Sequence, residues 1–275
     1  MQLKSLGFQT EVLLRGFEGE IIERSHYLVL RTPKNPSYRW GNFLIFQDPP
    51  KEGDLEKWKG VFAKEIGTSP DYPHFLFGWD GIDGEAGNIQ EFLAADFELV
   101  KTVVMTTQSV NQPPKLDQDC TIHTFQANDW QAWIQLARDQ NAADPPGERE
   151  PDDEGFYKFL ERQASEYQRM IEAGLGQQFG AYVDGQLVAS LGLFVWNGLG
   201  RFQSVDTHPN FRRRGLAGTL VYHASLKGFS DLAAKTLVMC ADPDYVAVKI
   251  YEAVGFKITE QEMAIQWHPK EGVIS

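Results

Sequence analysis

One stretch of the chain combines charge, glycine and turn chemistry: Val205-Asp206-Thr207-His208-Pro209-Asn210-Phe211-Arg212-Arg213-Arg214-Gly215-Leu216-Ala217-Gly218-Thr219-Leu220. Its order predicts a strand, a Pro turn, a basic glycine loop and a helix. Such an order builds an anion site. The first amides of a helix lack partners inside the helix, and the dipole places roughly half a positive charge there. Gly215 and the small Ala217 let a phosphate approach the main chain closely. Arg212, Arg213 and Arg214 add cations in a chain of net charge −12. A diphosphate suits this chemistry. An ordinary basic turn before a surface helix is the plainer reading of the same residues.

Two phosphate-loop patterns are missing. No Gly-Lys-Ser/Thr stretch occurs, which removes the Walker loop, and Gly215-Leu216-Ala217-Gly218 is a poor match to a dinucleotide fingerprint. A third pattern, Arg/Gln-x-x-Gly-x-Gly/Ala, fits at Arg212, Gly215 and Ala217. Downstream, Thr236–Ala241 reads as a strand, and Asp242-Pro243 predicts a helix start with the acid as N-cap. Val246, Ile250 and Val254 recur at helical spacing. Gly255 supplies a left-handed cap, and Phe256 opens the next strand. The arginine–glycine loop, followed by Tyr251-x-x-x-Gly255-Phe256, resembles the GNAT superfamily of acyl-CoA-dependent acyltransferases.

The resemblance implies an α/β fold (α+β by some schemes), with a mixed central sheet flanked by helices. It implies acetyl-CoA, or another acyl-CoA, as co-substrate, and direct transfer of the acyl group to a primary amine in a ternary complex. The loop would hold the CoA pyrophosphate through Arg212, Arg213 and Arg214 and the main chain of Gly215, Leu216, Ala217, Gly218 and Thr219. Main-chain groups of Val205, Asp206 and Thr207, on the strand that splays in this family, would face pantetheine and thioester. Tyr251 stands where the family often places the acid that protonates the departing thiolate; a core aromatic is the alternative. Asp242 stands where many relatives carry an Asn touching pantetheine, and capping alone would also account for it. No base is legible. Asp206 and His208 are candidates and equally structural residues, and relatives often deprotonate the amine through water. O-acylation on the same scaffold, or a CoA-binding sensor or interaction protein without turnover, stays open.

The elements that would position these residues run from about Thr121. A strand, Thr121–Phe125, precedes a helix with Trp130, Trp133, Ile134 and Ala137 at helical spacing. An acidic loop, 144–153, leads to a helix over about 156–173. Glu148 to Glu154 lies where the family often places acceptor contacts; a solvated loop is the plainer account. Strands Phe179–Val183 and Leu187–Trp196 flank Asp184-Gly185, and Asn197-Gly198 turns into a strand Arg201–Thr207. Two strands, Phe256–Thr259 and Glu262–Trp267, close a domain over 119–275, the acyl-CoA-binding half.

Residues 1–115 read as a second, degenerate half. Phe43–Phe46 reads as a strand, 54–66 as an amphipathic helix and 74–79 as a strand. Gly53 precedes Phe97 by 44 residues, and Gly215 precedes Phe256 by 41, a weak internal repeat. Where the arginine loop would stand is Gln47-Asp48-Pro49-Pro50-Lys51-Glu52-Gly53-Asp54. Two prolines remove donors and three acids repel phosphate, so this half is not expected to bind CoA. Completing the sheet, covering an acceptor cleft or setting substrate choice are the roles left to it; an unrelated α+β domain is the alternative. Val110–Lys115 reads as a linker.

Composition narrows the remaining classes. Two cysteines, Cys120 and Cys240, are too few for a disulfide framework. No Cys/His cluster has zinc spacing, so no metal is expected. Net charge −12 disfavours nucleic acid and is compatible with a cationic small-molecule or protein amine, although soluble proteins share it. No apolar run reaches a membrane span, and the first residues do not begin a signal peptide. A cytoplasmic monomer or homodimer is the expectation.

Overall fold

The computed structural model describes residues 1–68, 70, 72–143 and 154–269. In chain order the elements are α1 (Leu6–Arg15), β1 (Glu20–Glu23), β2 (Tyr27–Arg31), β3 (Phe43–Phe46), α2 (Asp54–Glu65), β4 (Phe75–Trp79), α3 (Gln90–Ala94) and β5 (Glu98–Thr107). There follow β6 (Thr121–Thr124), α4 (Asp129–Ala143), α5 (Glu154–Glu172), β7 (Gly176–Val183), β8 (Gln186–Trp196), β9 (Leu199–Thr207), α6 (Leu216–Ser230), β10 (Thr236–Ala241), α7 (Ala247–Val254) and β11 (Lys257–Trp267). Two units emerge. One is Met1–Val104 with the segment from Ile258 onward, and the other is Met105–Lys257.

In the first unit the strands run β1-β2-β3-β4-β11-β5. β3 and β4 are parallel, whereas β2 with β3 and β4 with β11 are antiparallel. Alternation along β4 separates two cores. Phe77 and Trp79 join Trp58 and Phe62 of α2 and Phe92 of α3, with Phe46 stacked 3.9 Å from Trp58. Leu76 points to the other cluster, with Phe8 of α1. Gly78 keeps that face flat: a Cβ there would lie 2.7 Å from the Phe8 ring. Each such buried side chain contributes roughly 1.5–3 kcal/mol of transfer free energy.

Long-range carboxylates anchor α1. Asp80 accepts from the amides of Lys4 and Ser5, Glu260 from Leu6 and Glu262 from Phe8. These partners lie 75 to 254 residues away, which is why no local signal announced the helix.

The second unit orders its strands β10-β9-β8-β7-β6. β8 is buried on both faces. Leu193 faces Gly228 of α6, whose Cβ position lies 2.7 Å from it, while Phe194 faces Tyr167 of α5 at 5.1 Å. A strand covered on both sides reads as a continuous apolar run, as 187–196 does. The expected hairpin turns are present, with Asp184 and Gly185 at φ 50° and 79° and Asn197 and Gly198 at 49° and 83°.

Four expectations change. The helix expected from Asp242 begins at Ala247, because Asp242 accepts from the Asp244 amide and closes a turn ahead of it. The two closing strands are one, β11, paired with β4. The chain divides at 104/105 and 257/258 rather than between 115 and 119, since β11 packs into the first unit. Val110–Lys115 is irregular but held: the Asn111 amide donates to Val254 O at 2.8 Å, and Pro113 is buried. The acidic stretch 144–153 lies outside the described residues, and with it Glu148 to Asp153.

The internal repeat extends further than the sequence suggested. β1-β2-β3-α2-β4-α3-β5 and β7-β8-β9-α6-β10-α7-β11 follow one order. Both contain antiparallel pairs up to the third strand and a parallel pair between the third and fourth. Both begin the first helix of the pair from a left-handed glycine, Gly53 at φ 81° and Gly215 at φ 99°.

Candidate functional site: a cleft at the N-terminus of α6

Strand β9 loses its neighbour halfway. β10 pairs with it through Leu199, Gly200 and Arg201 and no further. On the β8 side, Gln203 opposes Gly192 and Asp206 opposes Ser190, so Ser204 and Val205 together face Leu191. Ser204 takes φ 48° to accommodate the extra residue. A bulge twists a strand and re-aims its groups. Here it falls where the β10 side of β9 has no ladder partner, which brings Val205, Asp206 and Thr207 to the edge of the cleft; the Thr207 carbonyl accepts from Arg212 Nε at 3.5 Å.

Beyond β9 a short 3₁₀ turn, Pro209–Phe211, leads to the arginine loop. Gly215 is the N-cap of α6 and offers no side-chain cap. A Cβ at Gly215 would lie 2.8 Å from the Lys115 carbonyl oxygen, and the residue sits at φ 99°. Both facts demand glycine. The first amide spent inside the helix is that of Thr219, which donates to Gly215 O at 2.9 Å. Leu216, Ala217 and Gly218 therefore present amides without a partner among the described residues, and the first turn holds no acid.

These groups line a cleft of about 950 Å³ together with Val205, Asp206, Thr207, Arg212, Arg213, Gly215, Gln140, Lys249, Tyr251 and the segment Pro113–Lys115. That volume is at the upper end for small-ligand sites. Its cations are Lys115, Arg212, Arg213 and Lys249; Asp206 is the acid lining it among the described residues. Arg212 donates to Gln140 Oε1 at 2.8 Å, and Gln140 donates to Asp206 Oδ1 at 2.6 Å. One chain of hydrogen bonds thus links the loop to the bulged strand. Lys115 Nζ donates to the Arg213 carbonyl.

Three expected binding residues do not line the cleft. Arg214 is turned onto Asp117, donating from Nε to Oδ2 at 2.8 Å, and its guanidinium lies 5.7 Å from the Phe211 ring centre. This pair ties the loop to the segment before β6. Thr219 is buried, its amide is spent on Gly215 O, and its hydroxyl accepts from the Asp117 amide at 2.9 Å. Asp242 serves its own turn. His208 is committed as well: Nδ1 accepts from Asn210 N, and Nε2 lies 3.4 Å from Asp139.

Tyr251 is 5% exposed and lines the cleft with Asp206. Its hydroxyl has no hydrogen-bond partner among the described residues. Burial first, then the Asp206 carboxylate and Tyr245, push the phenol above its ordinary range. It is therefore protonated at neutral pH and available as a donor.

Lys115 and Gln140 escaped the sequence reading. Lys115 followed two prolines that signal a linker, and Gln140 sat on a helix legible only by its apolar face. Ser204 left no mark, because a bulge at a non-glycine residue has no sequence signature.

The equivalent position in the first unit is closed. α2 carries Asp54 and Glu56 in its first turn, and the Gly53 amide donates to Glu91 Oε1 at 3.0 Å. Carboxylates thus stand where the second unit leaves room for an anion.

Among the described residues, no helix is long and apolar enough to cross a membrane, and no group of His, Cys, Asp and Glu is placed to hold a metal ion. No curated protein matches the chain at a significant level. Solved structures do resemble it. A functionally unknown conserved protein from Staphylococcus epidermidis superposes with TM-score 0.66 at 14% identity, over 91% of this chain and 94% of that one. A GCN5-related N-acetyltransferase from Kribbella flavida gives 0.60 at 14%, over 97% and 96%. A tandem GNAT protein from the clavulanic acid biosynthesis pathway gives 0.52 at 10%, over 92% and 84%. At these identities the likeness is one of fold, and it spans both units. Residues 130–256 match the acetyltransferase (GNAT) family. The second half of the chain thus matches the GNAT family model, within a fold similar to that of a tandem GNAT protein.

Proposed function

We propose that the chain is an acyl-CoA-dependent N-acyltransferase that transfers an acetyl group to a primary amine by direct attack. The observation that carries this reading is the uncapped N-terminus of α6, with its unspent amides and adjacent cations, opening into the same cleft as Tyr251 and the end of β9 beyond its β10 ladder. The diphosphate of CoA matches the amides of Leu216, Ala217 and Gly218 with Arg212 and Arg213. The edge of β9 beyond its β10 ladder, at Val205, suits the amides of a pantetheine arm.

The amine nitrogen attacks the thioester carbonyl, the C–S bond breaks, and the proton lost by the nitrogen leaves to water. The sulfur leaves as thiolate. Tyr251 supports that departure by donating a hydrogen bond to the developing negative charge. With its phenol held above the ordinary value, full transfer to a thiol near 8.5 is less favourable than for an exposed tyrosine. Stabilising the thiolate by hydrogen bonding is therefore its larger contribution. Asp206, tied to Gln140, is the carboxylate that an ammonium group would meet in the cleft.

The test is thiol release from acetyl-CoA across a panel of amines and alcohols. Amine-dependent release supports the reading. Alcohol-dependent release assigns O-acylation instead. Tight CoA binding with no acceptor-dependent release assigns a sensor.

A further inference from the structure

The cations of the cleft outnumber those a diphosphate requires. Arg212 and Arg213 flank the free α6 amides, which suffice for about two negative charges. Lys115 adds a third cation, contributed by the segment before β6 rather than by the loop. We propose that Lys115 recognises the 3′-phosphomonoester of the nucleotide end of CoA, and so selects CoA over its 3′-dephospho form. The inference rests on the acyl-CoA reading above.

Three observations carry it. First, Lys115 is pre-positioned. Its stem lies against Gly215, with Cγ 3.1 Å from where a Cβ would stand, and Nζ donates to the Arg213 carbonyl. Arg213 itself takes φ 66°, an uncommon conformation for a residue with a side chain. Second, the ammonium is not spent. It has three donors, one is used, and its acceptor is neutral. Arg214, by contrast, already faces Asp117 and Asp119. Third, the charge matches. A phosphomonoester carries about −1.5 to −2 near pH 7, which the cations beside the diphosphate would leave unbalanced. Lys249 also lines the cleft but makes no hydrogen bond among the described residues, so its ammonium is not held in place.

Calorimetric titration of the full chain with CoA and with 3′-dephospho-CoA tests this. The wild type should bind CoA at least tenfold more tightly. In Lys115→Gln that ratio should fall to threefold or less, with dephospho-CoA affinity within threefold of wild type. Lys115→Arg should keep the preference. A Lys115→Gln variant that retains the ratio, or that weakens both nucleotides equally, overturns the proposal, and so does a wild type indifferent to the 3′-phosphate. If the wild type binds neither nucleotide, the acyl-CoA reading falls as well. Lys115 is exposed, and circular dichroism verifies that the variants fold.

Discussion

Gly215 separates backbone strain from electrostatics in one experiment. Any L-residue there must adopt φ 99° with its Cβ 2.8 Å from the Lys115 carbonyl oxygen. Left-handed backbone costs roughly 1–2 kcal/mol, and the contact adds to it. Gly215→Ala should therefore lower Tm by about 3–8 °C, at the usual 2–4 °C per kcal/mol for a chain of this size. Gly215→Glu shares the strain but places a carboxylate at a helix N-terminus, worth about 0.3–1 kcal/mol of stabilisation. It should be at least as stable as the alanine variant. Binding should move the other way. A carboxylate about 5 Å from a diphosphate, at an effective dielectric constant near ~40, repels its two charges by on the order of 3 kcal/mol, or about 150-fold in Kd. Differential scanning calorimetry and titration with acetyl-CoA read the two effects. Alanine and glutamate variants that bind acetyl-CoA equally well would refute the anion site. A glutamate variant less stable than alanine would refute the claim that the α6 amides are uncapped.

Tyr251→Phe should lower kcat about tenfold or more with little change in KM, and an unchanged kcat excludes the phenol from thiolate departure. Asp117→Ala should cost about 1–2 kcal/mol in denaturant unfolding, because Arg214 and the Asp119 amide lose their acceptor; a variant as stable as wild type would show that this pair does not hold the loop. His74 predicts a pH dependence. Burial lowers its imidazole from 6.5 to about 4, so the unfolded chain takes up the proton first. The stability it contributes is complete above about 6.5 and is lost as pH falls to about 4, about 3 kcal/mol in all. His74→Gln should flatten that part of the stability–pH curve, and an unaltered curve counts against the assignment.

Local patterns carried most of the second unit. Asp184-Gly185, Asn197-Gly198 and Gly215 mark positive-φ positions that few residues tolerate, and the strand Thr236–Ala241 was legible to the residue. The misses have a common cause. Asp242-Pro243 looks like a helix start because the acid can cap; which amide it caps depends on a three-residue turn that no periodicity encodes. The single strand β11 could not be separated from a hairpin, because its partner, β4, lies far away in sequence. Lys115 and the Arg214–Asp117 pair are likewise long-range choices. The sequence showed three arginines in a row, and only the fold distinguishes the two that face the cleft from the one that fastens the loop.

The two halves offer an internal control on what makes an anion site. Each has a parallel strand pair, a left-handed glycine and a helix beginning beside the strand ends, so backbone geometry does not distinguish them. The difference lies in charge. In the first half Asp54 and Glu56 occupy the first turn of α2, and Glu91 reaches the Gly53 amide. That arrangement sets the protein's own negative charge at the positive end of the helix and removes the attraction for an outside anion. In the second half the first turn of α6 holds no acid, and Asp117, in the segment before β6, is engaged by Arg214. Neither helix has a side-chain cap, but α6 also lacks the favourable first-turn charge that α2 has, and its amides are left to solvent or a ligand. A helix kept short of caps beside several cations is best explained by a guest that supplies the missing acceptors.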